Sequence, residues 1–201
     1  MELPFAPACE RNQEPIRQAL SRVFPRPAHI LELASGTGQH GVYFARHLDH
    51  LTWQCTDLQS VLPGLGARIK QAGLPNLPPP LTLDVSRPDW PQTSPELTAD
   101  GIFACNILHI ASWQAAVTLF AGCASLLDAG STLALYGPFN ENGFTSEGNA
   151  SLDAWARESF PGGGLRELAD VARLATDSGF SEPEVARMPA NNLLLTLVRA
   201  A

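Results

Sequence analysis

The stretch "HILELASGTGQHGVYFARHL", residues 29–48, constrains the fold more than any other part of the chain. It begins with an apolar run typical of a buried strand and ends in a segment with the apolar spacing of an amphipathic helix. Between the two lie Gly36, Gly38 and Gly41. This order of strand, glycine turn and helix is typical of an open parallel sheet, in which ligands collect outside the carboxyl ends of the strands.

Strand-like and helix-like segments alternate along the rest of the 201 residues, which predicts a mainly parallel sheet with helices on both faces. Only the short link "PANN" joins the last two strand candidates, so we expect them to pair antiparallel. The expected strands are residues 29–34, 51–58, 81–85, 99–106, 131–139, 182–188 and 191–200. The expected helices are residues 13–24, 39–48, 58–74, 113–127 and 165–180, with a further segment around 152–157.

The glycine turn is compatible with two kinds of nucleotide cofactor. Glycines permit positive φ and close approach to the backbone, and the following helix offers free N–H groups to an anionic or polar group. "GTGQHG" matches the G-x-G-x-x-G pattern of nicotinamide and flavin dehydrogenases. "ELASGTG" resembles the E/D-x-G-x-G-x-G motif of class I methyltransferases, with Glu32 as its acid and Ala34 in place of its first glycine. Gly41 is expected to serve close packing of the helix rather than ligand contact.

Polar residues at successive strand ends favour S-adenosylmethionine. Asp57 can accept hydrogen bonds from two ribose hydroxyls, Asp84 can accept the adenine amino group, and Asn106 would face the methionine part. The alternatives are a helix cap or turn former for each aspartate and a strand-end hydrogen bond for the asparagine. The expected cofactor contacts in this part of the chain are Glu32, Ala34, Ser35, Gly36, Gly38, Asp57, Leu58, Asp84, Val85, Asn106 and Ile107.

The chain resembles the family of methyltransferase-like protein 26, whose bacterial members are catalogued as a domain of unknown function. The likeness is carried by "FAPACERNQEPI", "LELASGTGQHGVYFA", "LTWQCTDL", "LTLDV", "NILHIASW", "LYGPFNENG" and "MPANNLLL". The resemblance implies the Rossmann-like class I methyltransferase fold, with a seven-stranded sheet, and binding of S-adenosyl-L-methionine. It implies little about the substrate. Relatives differ from this chain between residues 149 and 167, which puts a family-wide role of that segment in doubt.

We expect one methyltransferase domain over residues 1–201, with an N-terminal cover segment and helix at 1–27 and a variable substrate-side loop at 139–164. Glu10, Arg11 and Asn12 precede the expected first helix and could fold over the cofactor. Arg11 could then meet a carboxylate with a bidentate pair of hydrogen bonds, and Asn12 could contact the cofactor beside it. Alternatively, Asn12 caps the helix and the two charged residues pair on the surface.

Methyl transfer from a sulfonium is an in-line displacement that needs a positioned acceptor and the exclusion of water. His109, just after the fourth strand, is the candidate general base. Tyr136 could line the acceptor pocket, although either residue could instead be structural. The main alternatives to a methyltransferase are an NAD(P)-dependent oxidoreductase and a cofactor-binding protein that acts through a protein partner. The latter would expose an apolar patch near "FNENGF" or the C-terminal hairpin.

The composition of the chain limits which classes of partner it is expected to bind. A net charge of −7, without a run of basic residues, argues against a nucleic-acid partner, so a small-molecule acceptor is expected and a protein acceptor stays open. The four cysteines lack metal-type spacing, which favours free thiols, no metal site and a cytoplasmic location. No secretory signal or membrane-spanning stretch is recognised. The acceptor atom and the oligomeric state are not indicated.

Overall fold

The structure, a computed structural model, describes residues 3–93 and 97–201. Residues 1 and 2 of the expected cover segment lie outside the described residues. The α-helices are α1 Pro7–Val23, α2 Gln39–His47, α3 Leu62–Ala72, α4 Ile107–Ile110, α5 Trp113–Leu126, α6 Glu147–Ser159 and α7 Leu168–Asp177. The strands are β1 Ala28–Leu33, β2 Leu51–Asp57, β3 Leu81–Thr82, β4 Gly101–Cys105, β5 Thr132–Asn140, β6 Arg166–Glu167, β7 Glu184–Met188 and β8 Asn192–Val198.

Within the described residues the strands form one sheet in the order β3-β2-β1-β4-β5-β8-β7, with β6 paired to the end of β5. The pairs among β1 to β6 are parallel, and β8 runs antiparallel to both β5 and β7. The predicted α/β fold with a C-terminal antiparallel pair is confirmed. The sheet has eight strands rather than seven, because Arg166–Glu167 adds a short strand beside Phe139 and Asn140.

The core lies on both faces of the sheet. Leu31, Leu33 and Leu135 point to the face covered by α5 and α7, and Ile30, Phe103 and Ala134 point to the face covered by α1, α2 and α3. The strands are therefore buried on both sides, which explains why β1 and β4 read as nearly continuous apolar runs. The carboxyl ends of β1, β2, β4 and β5 meet at one edge.

The first helix begins six residues before the expected start, at Pro7. A proline in the first turn has a fixed φ and no N–H to leave unpaired, so it is a good first residue. The N–H of Ala6 also donates to the side chain of Gln39, which holds the helix start against the glycine turn. Consequently Arg11 and Asn12 lie inside α1 rather than before it, and Pro15 lies in the helix interior.

The third strand is also shorter than expected, covering only Leu81–Thr82. One carboxylate oxygen of Asp84 accepts hydrogen bonds from the backbone N–H of Ser86 at 3.0 Å and from its hydroxyl at 2.6 Å. Such local bonds compete with strand pairing and make a turn. Asp84 and Val85 thus follow the strand instead of ending it.

In the described parts of the chain, no helix combines the length and apolar character needed to cross a membrane.

Candidate functional site

The glycine turn joins β1 to α2 through a series of left-handed backbone positions. Ala34, Gly36 and Gly38 have φ of 53°, 56° and 75°. The N–H of Gly38 donates to the carbonyl of Ser35, and Ser35 is bonded in turn to the backbone of Thr56 in β2. A side chain added at Gly36 would meet no atom within 4 Å, so the backbone there borders open space. At Gly38, in contrast, a side chain would lie 2.5 Å from Cδ1 of Leu65, and contact of a ligand with the backbone of the turn stays a prediction.

Ala34 adopts a left-handed conformation that L-residues other than glycine rarely take. We expect Ala34→Gly to raise the free energy of unfolding by about 0.5–1 kcal/mol, because relief of roughly 1–2 kcal/mol of strain exceeds the entropic cost of glycine. Denaturant unfolding measures the change. As a control, Ala45→Gly in the last turn of α2, which also removes a buried methyl group, should lower stability by about 1 kcal/mol or more. Equal losses in the two variants would mean that Ala34 is not strained.

Asp57 ends β2 and is bound directly to the glycine turn. Its Oδ2 atom accepts the N–H of Gly36 at 2.7 Å, and Oδ1 accepts the N–H of Leu58 at the same distance. The carboxylate is mostly buried, whereas the side chain of Leu58 is exposed. The structure therefore places the predicted ribose acceptor beside the turn, with oxygen lone pairs left for further donors.

Glu32 lies under the turn, inside the protein. Its Oε2 atom accepts the indole N–H of Trp53 at 2.9 Å and the thiol of Cys55 at 3.2 Å. Burial raises the pKa of Glu32 to about 7, against the lowering effect of these hydrogen bonds. A side chain on Gly41 would lie 2.3 Å from the Cys55 sulfur and 3.0 Å from this carboxylate. Gly41 is therefore required for close packing of α2, as predicted.

Asp84 and Val85 stand farther along the same edge, after β3. A cavity of about 510 Å³ lies beside Asp84, lined by Leu81, Leu83 and Arg87 among others. The bonds from Ser86 show that Asp84 forms a turn. Both of these bonds use Oδ1, and Oδ2 is the oxygen that would accept an adenine amino group. That contact stays a prediction.

Asn106 follows β4 and caps α4 with a φ of 63°. Its backbone N–H donates to the carbonyl of Tyr136 at 2.7 Å. A side chain added at Gly137 would lie 3.4 Å from the Asn106 side-chain oxygen, so the two strand ends pack closely here. Ile107 is buried behind Asn106. The predicted position of Asn106 at the sheet edge is thus observed, while its ligand is not shown.

The N-terminal helix reaches the site through Asn12. The Asn12 side-chain oxygen lies 2.7 Å from Nε2 of His40, and its amide also bonds the hydroxyl of Tyr136. His40 is buried and stacks on Phe44, and burial lowers its pKa to about 4. Asn12 therefore joins α1, α2 and β5. Sequence reasoning missed His40, whose partner is 28 residues away along the chain.

Arg11 and Tyr136 have contrasting environments. Arg11 is exposed on α1, so its guanidinium is accessible to an anionic group. Tyr136 is buried on the face covered by α1, and burial raises its pKa to about 12. Its hydroxyl therefore stays protonated at neutral pH and acts as a hydrogen-bonding group.

His109 lies on α4, one turn beyond Asn106. Its side chain is mostly buried, and this burial, together with the positive charge of Arg166, lowers its pKa to about 4. The imidazole is consequently neutral at pH 7, and its unprotonated nitrogen is only weakly basic. The His109 carbonyl accepts the N–H of Gly164 at 2.9 Å, which fixes α4 against the 160–166 loop.

The segment that departs from the family pattern is well tied to the fold. Asp153 of α6 accepts the backbone N–H of Leu165 and pairs with Arg157 at 2.6 Å. Arg166 donates to the carbonyls of Leu108 and other residues of the α4–α5 region and lies over the ring of Trp113. Trp113 is thus partly exposed at a surface cavity rather than buried in the core.

Asn140, at the end of β5, is a polar residue that sequence reasoning missed. It is 7% exposed, yet among the described residues its side-chain oxygen has no hydrogen-bond partner. A buried polar atom without a partner costs about 1–3 kcal/mol, so it calls for an explanation such as an absent ligand or water. No local sequence signal marks it, because burial at this position depends on the surrounding tertiary structure.

We expect Asn140→Leu, a change to a side chain of similar shape, to leave the melting temperature unchanged or to raise it by a few degrees. The reason is that it removes a buried amide oxygen that has no partner among the described residues. Asn149→Leu is the matched control, since the buried Asn149 amide donates to Thr145 at 2.8 Å and its loss should destabilise the protein. A large drop for Asn140→Leu would show that its amide is paired in solution.

Comparisons with known proteins agree with this architecture. The family model described as "Protein of unknown function (DUF938)" matches residues 3–199. An O-methyltransferase family protein from Burkholderia thailandensis superposes with a TM-score of 0.81 and 19% identity, covering 96% of this chain and 58% of that one. Human N-acetylserotonin methyltransferase, solved with S-adenosylmethionine, gives 0.79 and 13%, covering 96% and 53%.

An O-methyltransferase family 2 protein from Planctomyces limnophilus, solved with apigenin, gives a TM-score of 0.79 and 17% identity, covering 94% of this chain and 56% of that one. The chain thus spans a little over half the length of these structures. At such identities the likeness shows the fold, which is the Rossmann-like methyltransferase fold.

Proposed function

The chain belongs to the DUF938 family, and from this membership, the fold and the glycine turn we propose that it is an S-adenosylmethionine-dependent methyltransferase. The observation that carries the proposal is the bond from the Gly36 N–H to Asp57, which joins a glycine turn open to solvent and a buried acid at one sheet edge. We also propose that the chain forms a single domain and that it is related to the methyltransferase-like protein 26 family.

The residues present fit this cofactor. Asp57 would hold the ribose hydroxyls, Asp84 the adenine amino group and Asn106 the methionine part. The backbone of the glycine turn would lie directly against the ligand. Arg11 and Asn12 of α1 would cover it. When bound, S-adenosylmethionine supplies a methyl group on a positively charged sulfur, and transfer proceeds by in-line displacement onto the acceptor.

The remaining residues would act on the acceptor. Neutral His109 can take a proton from an oxygen or nitrogen acceptor, and Tyr136, which stays protonated, can hold an acceptor by a hydrogen bond. The unpaired oxygen of Asn140 can accept a donor group of the same molecule. Binding of apigenin by the Planctomyces limnophilus protein supports a small organic acceptor. The four free cysteines support a cytoplasmic location.

A second candidate is a cofactor-binding protein that acts through a protein partner. It is favoured by the exposure of Phe144, 53% accessible in the loop after β5, and of Val185 and Val198 in the C-terminal hairpin. Exposed apolar side chains of this kind suit contact with a partner protein.

A transfer assay with labelled methyl groups separates these functions. The purified protein is incubated with S-adenosylmethionine labelled in its methyl group and with a cell extract divided into small-molecule and protein fractions. We expect label in small molecules, and much less label with the Asp57→Ala variant when the cofactor is subsaturating. Label on protein alone would show that the acceptor is a protein rather than a small molecule. Cofactor binding without any transfer would favour the partner-dependent function.

A further inference from the structure

Glu32 is a buried carboxyl group whose hydrogen bonds come from neutral donors. It is 1% exposed, and its bonded partners are the indole of Trp53 and the thiol of Cys55. An ionised carboxylate in such a place lacks both water and a countercharge, and isolated buried charges are strongly disfavoured. The protonated form of Glu32 is therefore favoured in the empty protein.

The groups that face Glu32 from the surrounding elements supply no positive charge within the described residues. β2 contributes Cys55 and the acid Asp57, α1 contributes the thiol of Cys9, and β4 contributes the thiol of Cys105. From α2 the contact is Gly41.

The two titratable groups nearby in α2 and α3 are engaged elsewhere. His40 bonds Asn12 and is neutral, because burial lowers its pKa to about 4. Arg68 of α3 donates to the carbonyls of Thr37 and Pro4. A countercharge for Glu32 would therefore have to come with a ligand.

Glu32 is also at the place where a ligand would lie. It is two residues before Ala34 in the glycine turn, and it pairs with Phe103 of β4, two residues before the end of that strand at Cys105. This is the gap between the carboxyl ends of β1 and β4. In the proposed function it receives the methionine part of the cofactor, which carries an ammonium group and, before transfer, a positively charged sulfur.

We propose that Glu32 is protonated in the empty protein and releases its proton to solvent when a cationic ligand binds beside it. The inference rests on the proposed function for the identity of that ligand. The proposal assigns the pairing to the positive sulfur rather than to the ammonium. S-adenosylmethionine therefore gains a carboxylate partner, and the thioether product, which keeps only the ammonium, loses it. Product release is thereby favoured over substrate release.

The direction of the pH dependence follows from the pKa of about 7. Below pH 7 the ligand must displace a proton, so affinity for S-adenosylmethionine should rise with pH, by about tenfold between pH 5.5 and 7. In Glu32→Gln, which mimics the protonated carboxyl, the rise should be less than twofold. This variant keeps an oxygen to accept the bonds of Trp53 and Cys55, and its melting curve reports whether it folds.

The test is titration calorimetry at pH 6 in two buffers of different ionisation enthalpy, which counts protons released per ligand. The ligands are S-adenosylmethionine, with both cations, S-adenosylhomocysteine, with the ammonium alone, and 5′-methylthioadenosine, with neither. We expect close to one proton for the first ligand, much less for the others, and none in Glu32→Gln. Equal release with S-adenosylmethionine and S-adenosylhomocysteine would contradict the pairing of Glu32 with the positive sulfur.

Two results would overturn the inference: the same proton count in wild type and Glu32→Gln, or equal release with 5′-methylthioadenosine. Failure of the proposed function looks different, because then none of the three ligands gives heat of binding in either buffer.

Discussion

Replacing Asp57 with alanine is expected to weaken binding of S-adenosylmethionine by about 1.5–3 kcal/mol, or roughly 10- to 150-fold, because hydrogen bonds to a charged group are lost. The same carboxylate accepts the N–H groups of Gly36 and Leu58, so its removal also loosens the glycine turn. Calorimetric titration gives the affinity, and a melting curve of the same sample shows that the variant is folded.

Asp100→Ala is the matched control for this change. Asp100 also accepts a backbone N–H, that of His29 at 2.7 Å, but it does so where β1 and β4 begin, at the opposite edge of the sheet. Its loss should leave the affinity unchanged within twofold. Unaltered affinity in a folded Asp57→Ala protein would refute the assignment of Asp57 to the ribose.

Gly41→Ala is expected to lower the free energy of unfolding by about 1–3 kcal/mol, since one added methyl would lie 2.3 Å from the Cys55 sulfur and must displace α2 or β2. The clash reaches Oε2 of Glu32, so the change should also disturb the site. Denaturant unfolding measures the loss. Adding Cys55→Ala removes the sulfur that the new methyl would meet. The double variant should therefore lose less free energy of unfolding than the sum of the losses in the two single variants.

Gly66→Ala provides a contrast in the neighbouring helix. A side chain at this position of α3 makes only ordinary contacts with Pro80, at 3.7 Å or more, so alanine should stabilise the helix by about 0.5–1 kcal/mol. If Gly41→Ala also stabilised the protein, the account of close packing between α2 and Cys55 would be wrong.

Much of the fold could be predicted because its determinants are local. The apolar run of β1, the helical spacing of α5 and the short link before β8 each specify an element or a pairing by themselves. The strand ends were predictable for the same reason: β2 ends at Asp57, and Asn106 directly follows β4. Knowing that parallel strands end at one edge was enough to bring these residues together.

The remaining features depend on contacts between distant segments. The extension of α1 to Pro7 rests on Gln39, and strand β6 exists because Arg166 and Glu167 lie against the end of β5. Asn12 lies inside α1 and bonds His40 and Tyr136 rather than capping the helix, and its contact with a cofactor stays a prediction. The burial of Asn140 likewise follows from tertiary packing, which residue spacing does not reveal.

The central claim is tested most directly by titrating the purified protein with S-adenosylmethionine, S-adenosylhomocysteine and NADH in parallel. The acid at the end of β2, the acid in the turn after β3 and the open glycine turn predict micromolar binding of the first two ligands and no binding of NADH. Binding of NADH alone would contradict the methyltransferase and assign "GTGQHG" to an oxidoreductase.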